Sequence, residues 1–105
     1  MSWEIKYTND ANNDLAELDG SQKKQVLKAV RKVSENPLSS SDGGYGKPLG
    51  TKQGRNLTGL LKIKLVDLGI RVVYRLIRTE TNMQIIVIAA RSDDEVYEIA
   101  AKRTN

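Results

Sequence analysis

The sequence predicts a single α+β domain over residues 1–105, with a strand, two helices, an antiparallel meander and a final helix. Three observations support this fold class. Residues 61–77 alternate between apolar and polar side chains around a glycine-containing turn, as a hairpin does. Residues 83–91 are almost continuously apolar, which is typical of a strand covered on both faces. Residues 22–35 carry apolar side chains at helical spacing.

Composition narrows the class of protein. The formal net charge of +4 favours anionic partners such as nucleic acid. The chain has no cysteine, which excludes a disulfide framework and thiol catalysis and is typical of a reducing compartment. It shows neither a signal-peptide pattern nor an apolar run long enough to cross a bilayer. We therefore expect a cytoplasmic protein without membrane contact.

The first third of the chain predicts a strand and a helical hairpin. Alternation in residues 3–7 indicates a half-buried strand, and a short helix follows with its N-cap among residues 8–10. We expect Gly20 to end this helix and Ser21 to cap the next, which spans residues 22–35 and ends before a proline. Residues 36–56 are rich in glycine and serine and predict a long loop of a kind that is often functional.

The predicted hairpin places cations on one face. Side chains on a strand repeat every two residues, so Lys62 and Lys64 share a face, and Arg71 joins them opposite the apolar residues. The next strand ends at Arg91, and a capping box of Ser92 and Glu95 starts a last helix over residues 93–103. We expect both arginines to face solvent.

Outward cations on a strand are usually only a solvated surface, but these residues also fit a phosphodiester site. RNA cleavage needs a base, charge stabilisation at phosphorus and an acid, and the chain has no histidine. Like charges lower the pKa of a lysine toward a useful range, and arginine can bind two phosphate oxygens. Candidate catalytic residues are Lys62, Lys64, Arg71, Arg91 and Tyr97. Two plainer readings stay open: Arg91 could pair with the acids that follow it, and Tyr97 could only pack.

The segments "LKIKLVDLGIRVVYRLI" and "ARSDDEVYEIAAKR", with the lysine-rich second helix, resemble the RelE family of bacterial toxins. The resemblance covers most of the chain and implies a metal-independent, ribosome-dependent mRNA endonuclease without a cofactor. It implies that Lys64 and Lys62 deprotonate the 2′-hydroxyl or hold its charge. By the same resemblance, Arg71 stabilises the phosphorane, Arg91 stabilises or protonates the leaving oxygen, and Tyr97 orients or stacks on a base.

The resemblance also implies partners. These are a cognate RelB-like antitoxin that blocks or displaces the helix over residues 93–103, the A site of the ribosome with its rRNA, and the mRNA. Candidate RNA or ribosome contacts are Lys23, Lys24, Lys28, Arg31, Lys47, Lys52 and Arg55. For the last three of these a role in solubility is the alternative.

The sequence departs from the family around Arg91, where members often have extra basic residues, because Ala90 precedes this arginine and Asp93 and Asp94 follow it. Two other functions remain open on this fold. One is a ParE-type toxin that poisons DNA gyrase, a class that generally lacks the full cationic set. The other is a non-catalytic binding module.

Overall fold

The computed structural model describes residues 3–52 and 54–104, and for Lys52 and Arg55 it describes the backbone alone. The strands are β1 (Glu4–Tyr7), β2 (Lys47–Lys52), β3 (Arg55–Leu65), β4 (Ile70–Ile77) and β5 (Asn82–Ala89). The helices are α1 (Asn9–Ala16), α2 (Gly20–Val33) and α3 (Asp93–Thr104). None of the helices within the described ranges is both long and apolar enough to cross a membrane.

The strands form one sheet in the order β1-β5-β4-β3-β2. β1 runs parallel to β5, and the remaining neighbours are antiparallel. α1 and α2 pack on one face of this sheet, while α3 packs on the other and creates a second apolar core. The α+β class is therefore confirmed, with both faces of the sheet covered.

The helical hairpin begins differently from the prediction. Thr8 caps α1, since its hydroxyl oxygen accepts from the Ala11 N–H at 3.1 Å. α2, however, starts at Gly20, because Asp19 and Gln22 form a reciprocal capping box. The prediction that Gly20 ends α1 and Ser21 caps α2 is wrong. A carboxylate directly before the glycine can accept the N–H three residues on, so the glycine enters the helix.

The predicted loop contains a strand. β2 pairs antiparallel with β3, with a register shift between Pro48 and Gly50, and Gly54 in the turn has a φ of 77°. Leu49 and Leu57 of this hairpin are buried, although the residues next to them in sequence are polar, glycine or proline. Because the bulge breaks the period of two, the pattern reads as loop. The meander therefore has one more strand than predicted.

The segment before β2 is fixed against the core by Tyr74. The Tyr74 hydroxyl donates to the carbonyl oxygen of Pro37 at 2.8 Å, in a buried position. Gly46 lies against the same hydroxyl, and a Cβ built there would come within 2.1 Å of it. Glycine is required at this point because of close approach.

β4 follows the predicted alternation, and β5, which was predicted to be covered on both faces, contains one irregularity. Val73 pairs with Val87, but Tyr74 pairs with Ile85, so Ile86 is an extra residue in β5. Ile86 and Val87 both pack in the core under α3, while Ile85 packs under α1 and α2. The bulge turns two consecutive side chains toward α3 and lets β5 serve both cores.

Candidate functional site

Three elements bring four of the five predicted catalytic side chains, those of Lys62, Lys64, Arg71 and Tyr97, to one end of the sheet, while Arg91 follows β5 and contacts Arg71 through its backbone carbonyl. Lys64 on β3 lies directly opposite Arg71 on β4, and Lys62 lies opposite Val73 one step along the same face. α3 starts beside them and presents Asp93 and Tyr97, four residues apart and therefore on one side of the helix. The site is thus the junction between the sheet and the first turn of α3.

Lys62 is the most enclosed cation of this junction. Its side chain is 10% exposed, and its Nζ donates to the hydroxyl oxygen of Tyr97 at 2.8 Å. The same Nζ lies 5.2 Å from the centre of the Tyr97 ring and 3.4 Å from Oδ1 of Asp93. Lys62 was expected on an open face, but α3 covers it. A buried ammonium requires such partners, since an unpaired one is costly.

Arg71 is also more enclosed than predicted, with a side chain 15% exposed. Its Nε donates to Oδ1 of Asp93, and its Nη1 donates to the backbone carbonyl of Arg91. The expectation that Arg71 faces solvent is wrong, because the start of α3 folds over it. The guanidinium now joins β4 to the β5–α3 connection.

Asp93 completes this cluster and was not among the predicted site residues. Its Oδ1 accepts from both Lys62 and Arg71, so two cations converge on one oxygen atom. Desolvation is the largest influence on the pKa of Asp93 and raises it. The hydrogen bond from Arg71 and the charges of Lys62 and Arg71 together outweigh desolvation, so the pKa lies below its ordinary value.

Asp93 could have been found from sequence by its position. It precedes Tyr97 by one helical turn and lies in the first turn of α3. A carboxylate there faces whatever the tyrosine faces. The helix macrodipole, however, favours acids at a helix start on any side, so the position of Asp93 alone does not distinguish a site residue from an ordinary helix-start acid.

Arg91 and Lys64 stand at the exposed margin. The side chain of Arg91 is 60% exposed, and its Nη1 donates to Oε2 of Glu95 at 3.2 Å. Ser92 caps α3 by accepting from the Glu95 N–H at 3.3 Å. Arg91 therefore faces solvent as expected, in an ion pair of a kind that contributes little to stability. Lys64 is exposed beside Arg71.

The other predicted cations fall into separate groups. Lys24, Lys28 and Arg31 are exposed on α2, and Lys23 is half-buried there, on the helix pair that packs against the opposite face of the sheet. Lys47 is exposed and lies opposite Lys62 across the β2–β3 ladder. The side chains of Lys52 and Arg55 lie outside the described residues.

The far end of α3 is fixed by Arg103. Its Nη1 donates to Oδ2 of Asp14 at 2.7 Å and to the backbone carbonyl of Ile86 at 2.9 Å. The same Oδ2 accepts from the Ile88 N–H at 3.0 Å. This interaction ties α1, β5 and α3 together. It borders a cleft of about 570 Å³ whose lining extends to Arg91.

This arrangement suits the stabilisation of an oxyanion. Two partly desolvated cations that aim at one oxygen hold negative charge more strongly than the same cations in water. Across residues 3–52 and 54–104, no group of three or more His, Cys, Asp or Glu side chains is placed to hold a metal ion.

Comparison with known proteins confirms the resemblance read from the sequence. No family model matches the chain. A protein of Escherichia coli described as a RelE-like toxin is 26% identical over 103 residues, which is 98% of each chain. A substituted E. coli RelE in the free state superposes with a TM-score of 0.75 at 24% identity, covering 100% of both chains.

Two further solved structures of this fold contain an antitoxin. The toxin–antitoxin complex RelBE2 of Mycobacterium tuberculosis matches with a TM-score of 0.70 and 23% identity, over 89% of this chain and 95% of that one. The intact E. coli RelBE complex matches with a TM-score of 0.66 and 21% identity, over 87% and 99%. The chain therefore has the RelE fold along most of its length.

Proposed function

We propose that this RelE-like chain is the toxin of a toxin–antitoxin pair and cleaves mRNA in the ribosomal A site. The 2′-hydroxyl attacks the adjacent phosphate and leaves a 2′,3′-cyclic phosphate and a 5′-hydroxyl. One observation carries this proposal: Lys62 Nζ and Arg71 Nε converge on a single carboxylate oxygen. A phosphorane oxygen placed there would receive the same two donors.

The proposed roles follow from burial. Arg71 and Lys62 are enclosed, so they stabilise the charge that develops on phosphorus, where a low dielectric strengthens the interaction. Lys64 is exposed beside them and is free to meet the 2′-hydroxyl as base or as counter-charge. Arg91 is also exposed, and the proposal assigns it to the leaving oxygen, for which its guanidinium would exchange Glu95 for the RNA.

Tyr97 orients Lys62 in this proposal. Tyr97 is 7% exposed, and its hydroxyl oxygen accepts from Lys62. A ring so enclosed fits the positioning of the ammonium better than stacking on a nucleobase, which needs an open face. The low exposure of Tyr97 therefore favours an orienting role over stacking on a base.

In this proposal the ribosome aligns the reacting atoms of the mRNA. Because ribosomes translate mRNA in the cytoplasm, the proposed activity is cytoplasmic. A site with no histidine has no strong base near neutral pH, so it depends on alignment of the reacting atoms. Holding reactants in a productive geometry contributes about 7–11 kcal/mol. We therefore expect cleavage of mRNA held on ribosomes to far exceed cleavage of free RNA.

An antitoxin that moves α3 would disable this site. The solved RelBE relatives show that proteins of this fold form toxin–antitoxin complexes. Here α3 carries both Asp93 and Tyr97, so moving it would remove the hydroxyl that orients Lys62. A complex in which α3 stayed on the sheet, with Tyr97 still bonded to Lys62 and Arg91 in its free-state position, would contradict this part of the proposal.

Primer extension on mRNA from translating ribosomes tests the proposed function. The wild type should produce breaks within the A-site codon, and Arg91→Ala should lose most of them. Arg78→Ala is the matched control, because Arg78 is exposed at the opposite end of β4. Arrested replication with intact mRNA would indicate a gyrase poison instead. Neither effect would indicate a binding module.

A further inference from the structure

We propose that Asp93 is a built-in competitor for the phosphate subsite, so that RNA binds productively only when it displaces this carboxylate. The inference rests on the proposed function and adds a residue that determines which RNA is cut. RNA presented by a large partner can displace Asp93, whereas free RNA competes poorly. Asp93 thereby favours substrate held on the ribosome.

The first step is the geometry of the donors. Lys62 Nζ and Arg71 Nε both point at Oδ1 of Asp93, so this oxygen marks the position that the two cations serve together. A phosphate oxygen that used both donors would need the same position. The carboxylate and the phosphate therefore exclude each other at this point.

The second step is charge. The side chains of Lys62 and Arg71 are 10% and 15% exposed, so solvent screens their interactions weakly. Asp93 offsets one of their two positive charges, and a phosphate that entered beside it would meet a like charge. The lowered pKa of Asp93 keeps the carboxylate ionised at neutral pH, so protonation does not relieve the conflict.

The third step is mobility. Asp93 is the first residue of α3, and its side chain is 40% exposed, while Tyr97 one turn later is 7% exposed. The carboxylate can swing into solvent about its own side-chain bonds. Meanwhile Ser92 still caps the helix and Val96 still packs in the core. Displacement therefore leaves Lys62 and Tyr97 in place.

Binding of a non-cleavable RNA tests this without any need for activity. The probe is a single-stranded oligonucleotide with 2′-methoxy groups throughout, followed by fluorescence anisotropy at fixed salt. Asp93→Asn should bind it about five- to tenfold more tightly, because one ion pair need not be broken and one like charge is gone. Asp94→Asn changes the net charge equally on the same turn and should gain about twofold or less.

Two further variants make the test specific. Asp93→Ser also removes the charge and suits a helix start, so it should match Asp93→Asn even if the amide is poorly accommodated. Adding Arg71→Ala to Asp93→Asn should abolish the gain. The proposal is overturned if Asp93→Asn binds no more tightly than Asp94→Asn, or if the gain survives loss of Arg71.

Cleavage separates this inference from the proposed function. Asp93→Asn should raise the rate of free-RNA cleavage by a larger factor than the rate of cleavage on ribosomes, because ribosome-held RNA already displaces the carboxylate. If the wild type does not cut mRNA on ribosomes, the proposed function fails, and the binding test still decides whether Asp93 competes with phosphate. If ribosomal cleavage occurs but Asp93→Asn loses it, Asp93 supports the reaction and the competitor role is wrong.

Discussion

The ammonium of Lys62 donates to the hydroxyl oxygen of Tyr97 at 2.8 Å, and this contact joins β3 to α3 inside the candidate site. The two residues are distant in sequence, and both are almost fully buried. An ammonium in such a place depends on each of its acceptors, because water cannot replace them. The contact therefore couples the stability of α3 to the position of a proposed catalytic group.

Replacing Tyr97 with phenylalanine tests that coupling. Tyr97→Phe keeps the ring near Lys62 but removes the acceptor, so we expect a loss of about 1–3 kcal/mol in the free energy of unfolding. Chemical denaturation measures the loss. Cleavage on ribosomes should fall as well, since Lys62 is no longer oriented. An equally stable Tyr97→Phe with full cleavage would show that the hydroxyl only fills space.

Arg71→Ala and Arg91→Ala should both lose cleavage activity, but they should differ in how much the free energy of unfolding falls. Arg71→Ala should lower ribosomal cleavage about 10²–10³-fold, as loss of an oxyanion donor does, and destabilise the fold by about 1–2 kcal/mol. Arg91→Ala should lose about 10²–10⁴-fold in cleavage as a general acid would, with about 0.5 kcal/mol or less in stability. Paired measurements of single-turnover cleavage and denaturant unfolding test both. Equal stability losses would mean that the exposure of the two arginines does not govern their structural role.

The strand alternation allowed the face of the cations to be predicted from sequence. Lys64 and Arg71 face each other across β3 and β4 because the period of two admits one register with the apolar residues inward. Burial of Lys62 could not be predicted, because it depends on where α3 docks, and α3 belongs to a distant part of the chain. Strand periodicity predicts the face of the sheet on which a side chain lies, but it does not predict which element packs on that face.

β2 escaped prediction for a local reason. A bulge between Pro48 and Gly50 breaks the alternation, and Leu49 is a single buried residue among polar, glycine and proline neighbours. Its pairing with β3 supplies the order that its own sequence does not signal. Asp93 was overlooked for a different reason, since acids in a first helical turn are common without any partner.

The contribution of Asp93 to the free energy of unfolding should be lost at acidic pH. Its folded-state pKa lies below the ordinary value of 3.8, so its contribution is complete above that value and is lost as pH falls through the lower folded-state pKa. Asp93→Asn lacks this titration. The difference in unfolding free energy between wild type and Asp93→Asn should therefore be constant from pH 7 to about 5. Below about pH 4 the wild type should lose stability relative to Asp93→Asn, because its carboxylate becomes protonated. Urea denaturation at several pH values measures it, and a difference that stays constant to pH 2 would contradict the lowered pKa.

The exposed Lys28 and the half-buried Lys23 of α2 should contribute to ribosome association. Lys28→Ala and Lys23→Ala should each weaken binding in low salt and lower the salt slope by about 0.7–1 if they contact phosphates. Lys6→Ala on β1 is the control, since Lys6 is exposed and pairs with Glu4. Co-sedimentation with ribosomes across salt concentrations measures the slopes. Slopes equal to that of Lys6→Ala would assign these lysines to solubility.

Arg103 should control how firmly α3 stays on the sheet. Its guanidinium and the Asp14 carboxylate are 22% and 16% exposed, and together they bond to β5 at Ile86 and Ile88. Removing one member leaves the other poorly satisfied, so Arg103→Ala should cost about 2–3 kcal/mol, less than for a fully buried pair. Lys102→Ala, exposed on the same turn, should cost about 0.5 kcal/mol or less.

The consequence for the site follows from the geometry of α3. A loosened helix end should raise amide hydrogen exchange along α3 and let Tyr97 leave Lys62 more often, so cleavage by Arg103→Ala should fall while Lys102→Ala remains active. Asp14→Asn combined with Arg103→Ala should show a coupling of about 0.5–3 kcal/mol in a double-mutant cycle. Additive losses, or exchange in α3 equal to wild type, would show that the Arg103–Asp14 pair does not control how firmly the helix stays on the sheet.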